Sequence, residues 1–207
     1  WRSLAQSQAE PQTKRLISNK IEFFVCIRDV IAIKEETGLP VIGLVKVQYP
    51  GYEGFITPTM KEVDDLVAAG SDIVALDCTL RKRGDGSTVN EFIAQIREKY
   101  PDIILMADIS NYEEGINAWK CGVDIVGTTM SGYTAYTSSV SDGPDYELME
   151  RLSRDINIPV IGEGRIHYPD QAVKALQTGA WAIVVGGAIT RPLEIAMRFQ
   201  NAIKESR

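Results

Sequence analysis

Ala69-Gly70-Ser71-Asp72-Ile73-Val74-Ala75-Leu76-Asp77 holds a helix end, a turn and a buried strand in one short run. Gly70 stands where a helix C-terminus calls for a left-handed residue. Ile73–Leu76 is continuously apolar, as in a strand covered on both faces, and Asp77 closes it. The same joint recurs as Cys121-Gly122-Val123-Asp124-Ile125 and as Thr178-Gly179-Ala180-Trp181-Ala182. Amphipathic segments fill the intervals. Val63, Leu66, Val67 and Gly70 share one helical face, and so do Val89, Phe92, Ile93 and Ile96. Ser110 with Glu113 three residues on reads as a capping box. A last helix begins near Thr190 with Pro192 in its first turn and Ile195, Phe199 and Ile203 along one face.

Working outward, seven apolar runs are legible: Phe23–Ile27, Val41–Val45, Ile73–Leu76, Ile103–Ala107, Ile125–Gly127, Val160–Gly162 and Ala182–Val185. Strand and helix alternate throughout, which predicts an α/β fold with a parallel sheet. Seven or eight such units favour a (β/α)8 TIM barrel of the phosphate-binding type over an open sheet of five or six strands. The dinucleotide fingerprint GxGxxG is absent. The expectation is a single domain over 1–207, with 1–22 an atypical N-terminal segment and an incomplete first βα unit. A barrel without its first strand would expose two edges, so a strand is expected around Trp1–Ala9.

The composition fits that picture. The chain has 207 residues, 44% hydrophobic and 24% charged, which excludes a disordered or fibrous chain. No apolar stretch nears the about 18–20 residues of a membrane helix. The start Trp1-Arg2-Ser3-Leu4 carries no signal-peptide pattern. A net charge of −6 argues against a nucleic-acid partner. Cysteines at 26, 78 and 121 form no CxxC pair, which suits a reduced cytoplasmic protein. A single histidine, His167, excludes a His-rich metal site.

In a parallel barrel every strand's C-terminal end opens on one mouth, where active sites form. Arg28, Lys46, Asp77, Asp108, Thr128 with Thr129, Glu163-Gly164-Arg165 and Gly186-Gly187 end the seven runs in turn. Strands also end in charge simply because the chain meets water there; the set, not any one residue, is informative. Lys46 is the sharpest member, a lone amine after an apolar run, expected to be partly buried beside Arg28 and so a usable base. Glu163 would face it across the mouth, four strands away. Two such groups suit removal of a proton from one face of a carbon and its return to the other. Asp77, Asp108, Thr128 and Arg165 are candidate substrate contacts. Gly164, Gly186 and Gly187 would form a phosphate cradle, with Arg191 adding a cation.

Seven segments carry a specific resemblance. They are Ile42–Lys46, Phe55–Thr59, Ala75–Thr79, Met106–Ser110, Gly127–Thr134, Gly162–Ile166 and Val185–Pro192, in that order. Together they resemble the N-acetylmannosamine-6-phosphate 2-epimerases of sialic acid catabolism, over about residues 21–207. The resemblance implies interconversion of N-acetylmannosamine 6-phosphate and N-acetylglucosamine 6-phosphate without metal or cofactor. It implies Lys46 and Glu163 as the catalytic pair and Arg28, Asp108 and Arg191 as substrate contacts. Ser7-Gln8-Ala9 is a faint trace of the family's first strand, with Gln8 a substrate contact. Asp29 follows Arg28 at once, where a connection of about 2–6 residues is usual; that junction is expected to hide a gap, with a Cα spacing beyond ~3.8 Å. The expected partner is a small amino-sugar phosphate, with no nucleic acid and no membrane, and a homodimer left open. Two other readings stay open: an isomerase or lyase acting on another sugar phosphate, and a phosphosugar binder without turnover.

Overall fold

The computed structural model describes residues 22–24, 27–138 and 143–206. Its seven parallel strands lie side by side in chain order. They are β1 (Glu22–Phe24), β2 (Val41–Gly43), β3 (Ile73–Asp77), β4 (Ile104–Asp108), β5 (Ile125–Gly127), β6 (Val160–Gly162) and β7 (Ala182–Ile183). Each strand returns beside its predecessor after a helical crossover, as parallel pairing requires. The crossovers are α1 (Ile27–Thr37), α2 (Met60–Ala68), α3 (Val89–Lys99), α4 (Tyr112–Lys120), α5 (Tyr146–Asp155) and α6 (Pro169–Gln177); α7 (Gly187–Thr190) and α8 (Pro192–Glu205) follow β7.

Side-chain alternation along the strands builds two cores, one on each face of the sheet. Val74, Leu76, Leu105, Ala107, Val126 and Val160 point to the helices and meet Val63, Leu66, Phe92, Ile93, Ile96 and Leu152. The alternate positions, Ile42, Ile73, Ala75, Ile104, Met106, Ile125 and Ile161, pack against one another with Leu44, Ile56 and Met130 on the other face. Burial on both faces is why these strands read as unbroken apolar runs rather than alternating ones. Gly70, Gly122 and Gly179 all take positive φ, so the repeated helix-to-strand joint is one turn used three times.

Several expectations shift. The first strand is Glu22–Phe24, and a helix already begins at Ile27. Arg28 is therefore an exposed residue of the first turn of α1, not the end of a strand. The Arg28–Asp29 junction lies inside that helix, which runs through it without the expected break. The strand expected around Trp1–Ala9, Gln8 and Cys26 fall outside the described residues. The cap of α4 is set one residue later than Ser110 and Glu113 suggest: Asn111 accepts from the Glu114 amide at 3.0 Å, while Glu114 reaches back to the Ser110 amide at 2.7 Å. The last helix opens on Pro192 as expected, but its apolar stripe is not packed: Phe199 is 69% exposed and α8 buries no residue.

Candidate active site

Counting in twos along the strands explains the site. On the inner face Ile73 and Ala75 lead to Asp77, and Ile104 and Met106 lead to Asp108. By the same count Ile125 and Gly127 lead to Thr129, Ile161 leads to Glu163, and Ile42 and Leu44 lead to Lys46. Each polar residue is the next inward position beyond the inner core, at the C-terminal edge of the sheet.

Asp108 is completely buried. Its Oδ1 lies 2.6 Å from the Thr129 hydroxyl, and its Oδ2 is buried with no hydrogen-bond partner. The same hydroxyl lies 3.1 Å from Glu163 Oε2. Burial first, and the Glu163 charge second, hold the Asp108 carboxyl well above the usual carboxylate range. Burial also pushes Glu163 up to about 7, against the opposing pull of the Thr129 hydrogen bond and the Lys46 charge. Thr128 faces the other way: its hydroxyl donates to the Glu163 carbonyl at 2.8 Å and accepts from the Glu163 amide at 3.1 Å, fixing the backbone on which Glu163 stands. Gly127 makes room for the pair. A Cβ there would meet Met106 Cε at 2.4 Å and Thr129 Oγ1 at 3.1 Å.

Lys46 stands three residues past the end of β2, on a loop that doubles back and pairs antiparallel with Ile56. Thr57 pins this loop. Its amide donates to Val45 O at 2.7 Å, and its hydroxyl donates to Ala75 O at 2.7 Å while accepting from the Val45 amide at 3.3 Å. To do so it takes φ 46°, a left-handed conformation that costs a β-branched residue about 1–3 kcal/mol. Lys46 is exposed rather than partly buried, and Arg28 does not stand on a neighbouring strand end. The lysine's charge nonetheless reaches both Asp108 and Glu163.

Asp77 is buried and its oxygens are engaged within the fold: Oδ1 accepts from the Thr79 amide at 3.0 Å, and Oδ2 pairs with Arg81. Arg165 takes φ 56° and lays its guanidinium against Gly132, where a Cβ would sit 2.5 Å from Nη1. Gly164 precedes it at φ 98°. Beyond β7, Gly186 caps α7 and Gly187 begins it. Arg191 pairs with Glu194 at 2.8 Å and is largely exposed. A Cβ on Gly187 would meet Arg191 Cδ at 3.2 Å, so the arginine folds back over Gly187, while the space beside Gly186 is open.

The structure thus brings Lys46, Asp108 and Glu163 within electrostatic reach of one another, with Thr128 behind Glu163. It leaves Arg28 on a helix surface and Arg191 on the rim. Two residues at this edge were not among the candidate contacts. Thr129 is the bridge between the carboxyls, and the inward count would have chosen it over Thr128. Glu114 is buried and accepts from Leu80 N at 3.1 Å, Ser110 Oγ at 2.7 Å and the Tyr136 hydroxyl at 2.5 Å, tying three loops at this edge. Its signal was the acidic first turn of α4.

Comparison with known proteins matches the chain to a family. The family described as "Putative N-acetylmannosamine-6-phosphate epimerase" matches residues 20–205. Relatives carrying the corresponding 2-epimerase name occur in Caldanaerobacter subterraneus subsp. tengcongensis and Clostridioides difficile. The first is 58% identical over 179 residues, covering 86% of this chain and 75% of the relative. The second is 48% identical over 178 residues, covering 86% and 78%. Among solved structures, the N-acetylmannosamine-6-phosphate 2-epimerase from Clostridium perfringens superposes with a TM-score of 0.83 at 45% identity, covering 92% of this chain and 82% of that one.

Proposed function

This chain belongs to the N-acetylmannosamine-6-phosphate epimerase family, and from that premise we propose that it interconverts N-acetylmannosamine 6-phosphate and N-acetylglucosamine 6-phosphate. It would then be an N-acylglucosamine-6-phosphate 2-epimerase of amino-sugar catabolism, working in the cytoplasm. The seven strands in sequential order are read as seven of the eight of a (β/α)8 barrel.

The observation that carries the reading is the set of inward positions, with Lys46 past β2 and Glu163 past β6, four strands apart. In the open-chain sugar the C2 hydrogen lies α to the C1 aldehyde, so its removal leaves an enolate with charge on O1. One group takes that proton, and the other returns a proton to the opposite face of C2, inverting it. The roles of Lys46 and Glu163 exchange with the direction of reaction. A carboxyl near pKa 7 suits a group that must both take and give a proton near neutral pH. Asp108 is assigned to the substrate's edge of this pair, where burial disfavours its charged form. Gly164, Gly186, Gly187 and Arg191 are assigned to the phosphate, whose binding helps lower the barrier at the distant C2.

The test is turnover of N-acetylmannosamine 6-phosphate in deuterium oxide, followed by NMR. The expected product carries deuterium at C2. Retention of the original hydrogen would overturn proton transfer, and saturable binding without turnover would overturn the enzyme reading. Unphosphorylated N-acetylmannosamine is expected to be a very poor substrate; equal kcat/KM for the two sugars would remove the cradle.

A further inference from the structure

We propose that Thr129 is a positioning residue that binds Asp108 and Glu163 into one unit sharing a single proton across its hydroxyl. The inference rests on the proposed role of Glu163 and deepens it.

The number of hydrogens between the two carboxyls is limited. A threonine hydroxyl has one hydrogen and can donate it once. Here the same oxygen lies 2.6 Å from Asp108 Oδ1 and 3.1 Å from Glu163 Oε2, both within hydrogen-bond distance. An ionised carboxylate only accepts, so two ionised carboxylates would leave one contact as oxygen facing oxygen with no hydrogen between them. The geometry closes if one carboxyl is protonated and donates to Oγ1, which passes its own hydrogen to the other.

Burial chooses the direction. Asp108 is 0% exposed and its Oδ2 has no partner, so a charge there is the more expensive of the two. Glu163 is half-buried and lies within reach of the Lys46 charge. The resting chain therefore runs from Asp108 O–H to Thr129 Oγ1, and from Thr129 O–H to Glu163 Oε2. The charged and titratable groups acting on this unit come from four strands. They are Lys46 past β2, Asp77 at the end of β3 (already paired with Arg81), Asp108 itself on β4 and Glu163 past β6. The hydroxyl stabilises the ionised form of Glu163 and keeps its side chain pointed at the same place before and after it carries a proton. No atom of Thr129 needs to touch the sugar for this.

The test is a carbon-13 NMR titration of the aspartate and glutamate carboxyls, with signals assigned by Asp108→Asn and Glu163→Gln. In the wild type the two carboxyls are expected to titrate as a linked pair. In Thr129→Val, Glu163 loses a donor to its ionised form, and its midpoint is expected to rise by about half to one unit. The acid limb of kcat for epimerisation should move with it, while Thr129→Ser restores both. Thr129→Ala gives the same readout if the valine variant does not fold. Independent titration of the two carboxyls in the wild type, no movement in folded Thr129→Val, or failure of serine to rescue would each overturn the proposal. The failures separate cleanly. A shifted carboxyl in a protein without turnover would sink the epimerase reading and leave the bridge standing, and turnover without the shift would do the reverse.

Discussion

The arc from β2 to β6 and the unit formed by β7, α7 and α8 are built from the same kind of sequence and are finished very differently. In the arc, strands of up to five residues are buried on both faces, and Phe92 of α3 is 2% exposed. Beyond it, β7 has two half-buried residues and α8 leaves Leu193, Met197, Phe199 and Ile203 in the open. The groups assigned to proton transfer stand on or beside the arc, and the glycines and arginine assigned to the phosphate stand largely on the other unit. The difference shows where rigidity is needed. Proton transfer demands donors and acceptors held to within a fraction of an ångström; Asp108 ends a packed strand of the arc and Glu163 follows one, while Lys46 stands exposed on the loop that Thr57 pins. A phosphate can be met by exposed backbone amides and a long, charged side chain.

The largest expected effect separates chemistry from packing inside the arc itself. Lys46→Met should lower kcat by about 10²–10⁴ while the thermal unfolding curve stays in place, since Lys46 is exposed. Near-normal turnover in that variant would detach the chemistry from the arc. Next comes the contrast in packing. Phe92→Ala should cost about 3–5 kcal/mol of unfolding free energy, and Phe199→Ala within about 0.5 kcal/mol, both read by urea denaturation. Equal costs would show that the face of α8 is covered in solution and would dissolve the contrast.

The pH dependence sharpens it further. Glu163 holds its proton more tightly folded than unfolded, with its pKa moved from 4.5 to about 7. Raising the pH through that window therefore costs the native state stability. Glu163→Gln lacks that slope, so its Tm relative to the wild type should climb between those values and level off above them. The smallest effect belongs to the rim. Arg191→Ala breaks an exposed ion pair with Glu194, so stability should change by under about 1 kcal/mol. KM for the phosphorylated sugar should rise, as it should for Gly186→Val. An unchanged KM in both variants would move the phosphate elsewhere.

Much of this was legible because burial on both faces leaves a plain trace. Ile73–Leu76 and Ile125–Gly127 could be read as strands, and Val89, Phe92, Ile93 and Ile96 as a buried helical face, since nothing but packing demands such runs. Lys46, Asp108 and Glu163 became candidates by asking what ends each run. That question does not separate Thr128 from Thr129, because it ignores which face the residue lies on; the alternation of the strand does. Arg28 was misplaced for a related reason: Phe23–Ile27 is as apolar as a strand, yet Ile27 already opens α1. Thr57 stood inside the Phe55–Thr59 segment without a role, because a left-handed threonine is imposed by its neighbours and leaves no mark in the residue type.

The order of the sheet bears on how the protein is made. Every strand pairs with the one just before it in the chain, from β1 to β7. Among the described strands none waits for a distant partner, so loop-closure entropy along β1 to β7 is met in small instalments, each about one crossover long. Synthesis proceeds from the N-terminus, and domains tend to assemble as they emerge. The arc can therefore collapse around its two cores while β7 and α8 are still on the ribosome, and the groups assigned to proton transfer would be in register before the end assigned to the phosphate exists.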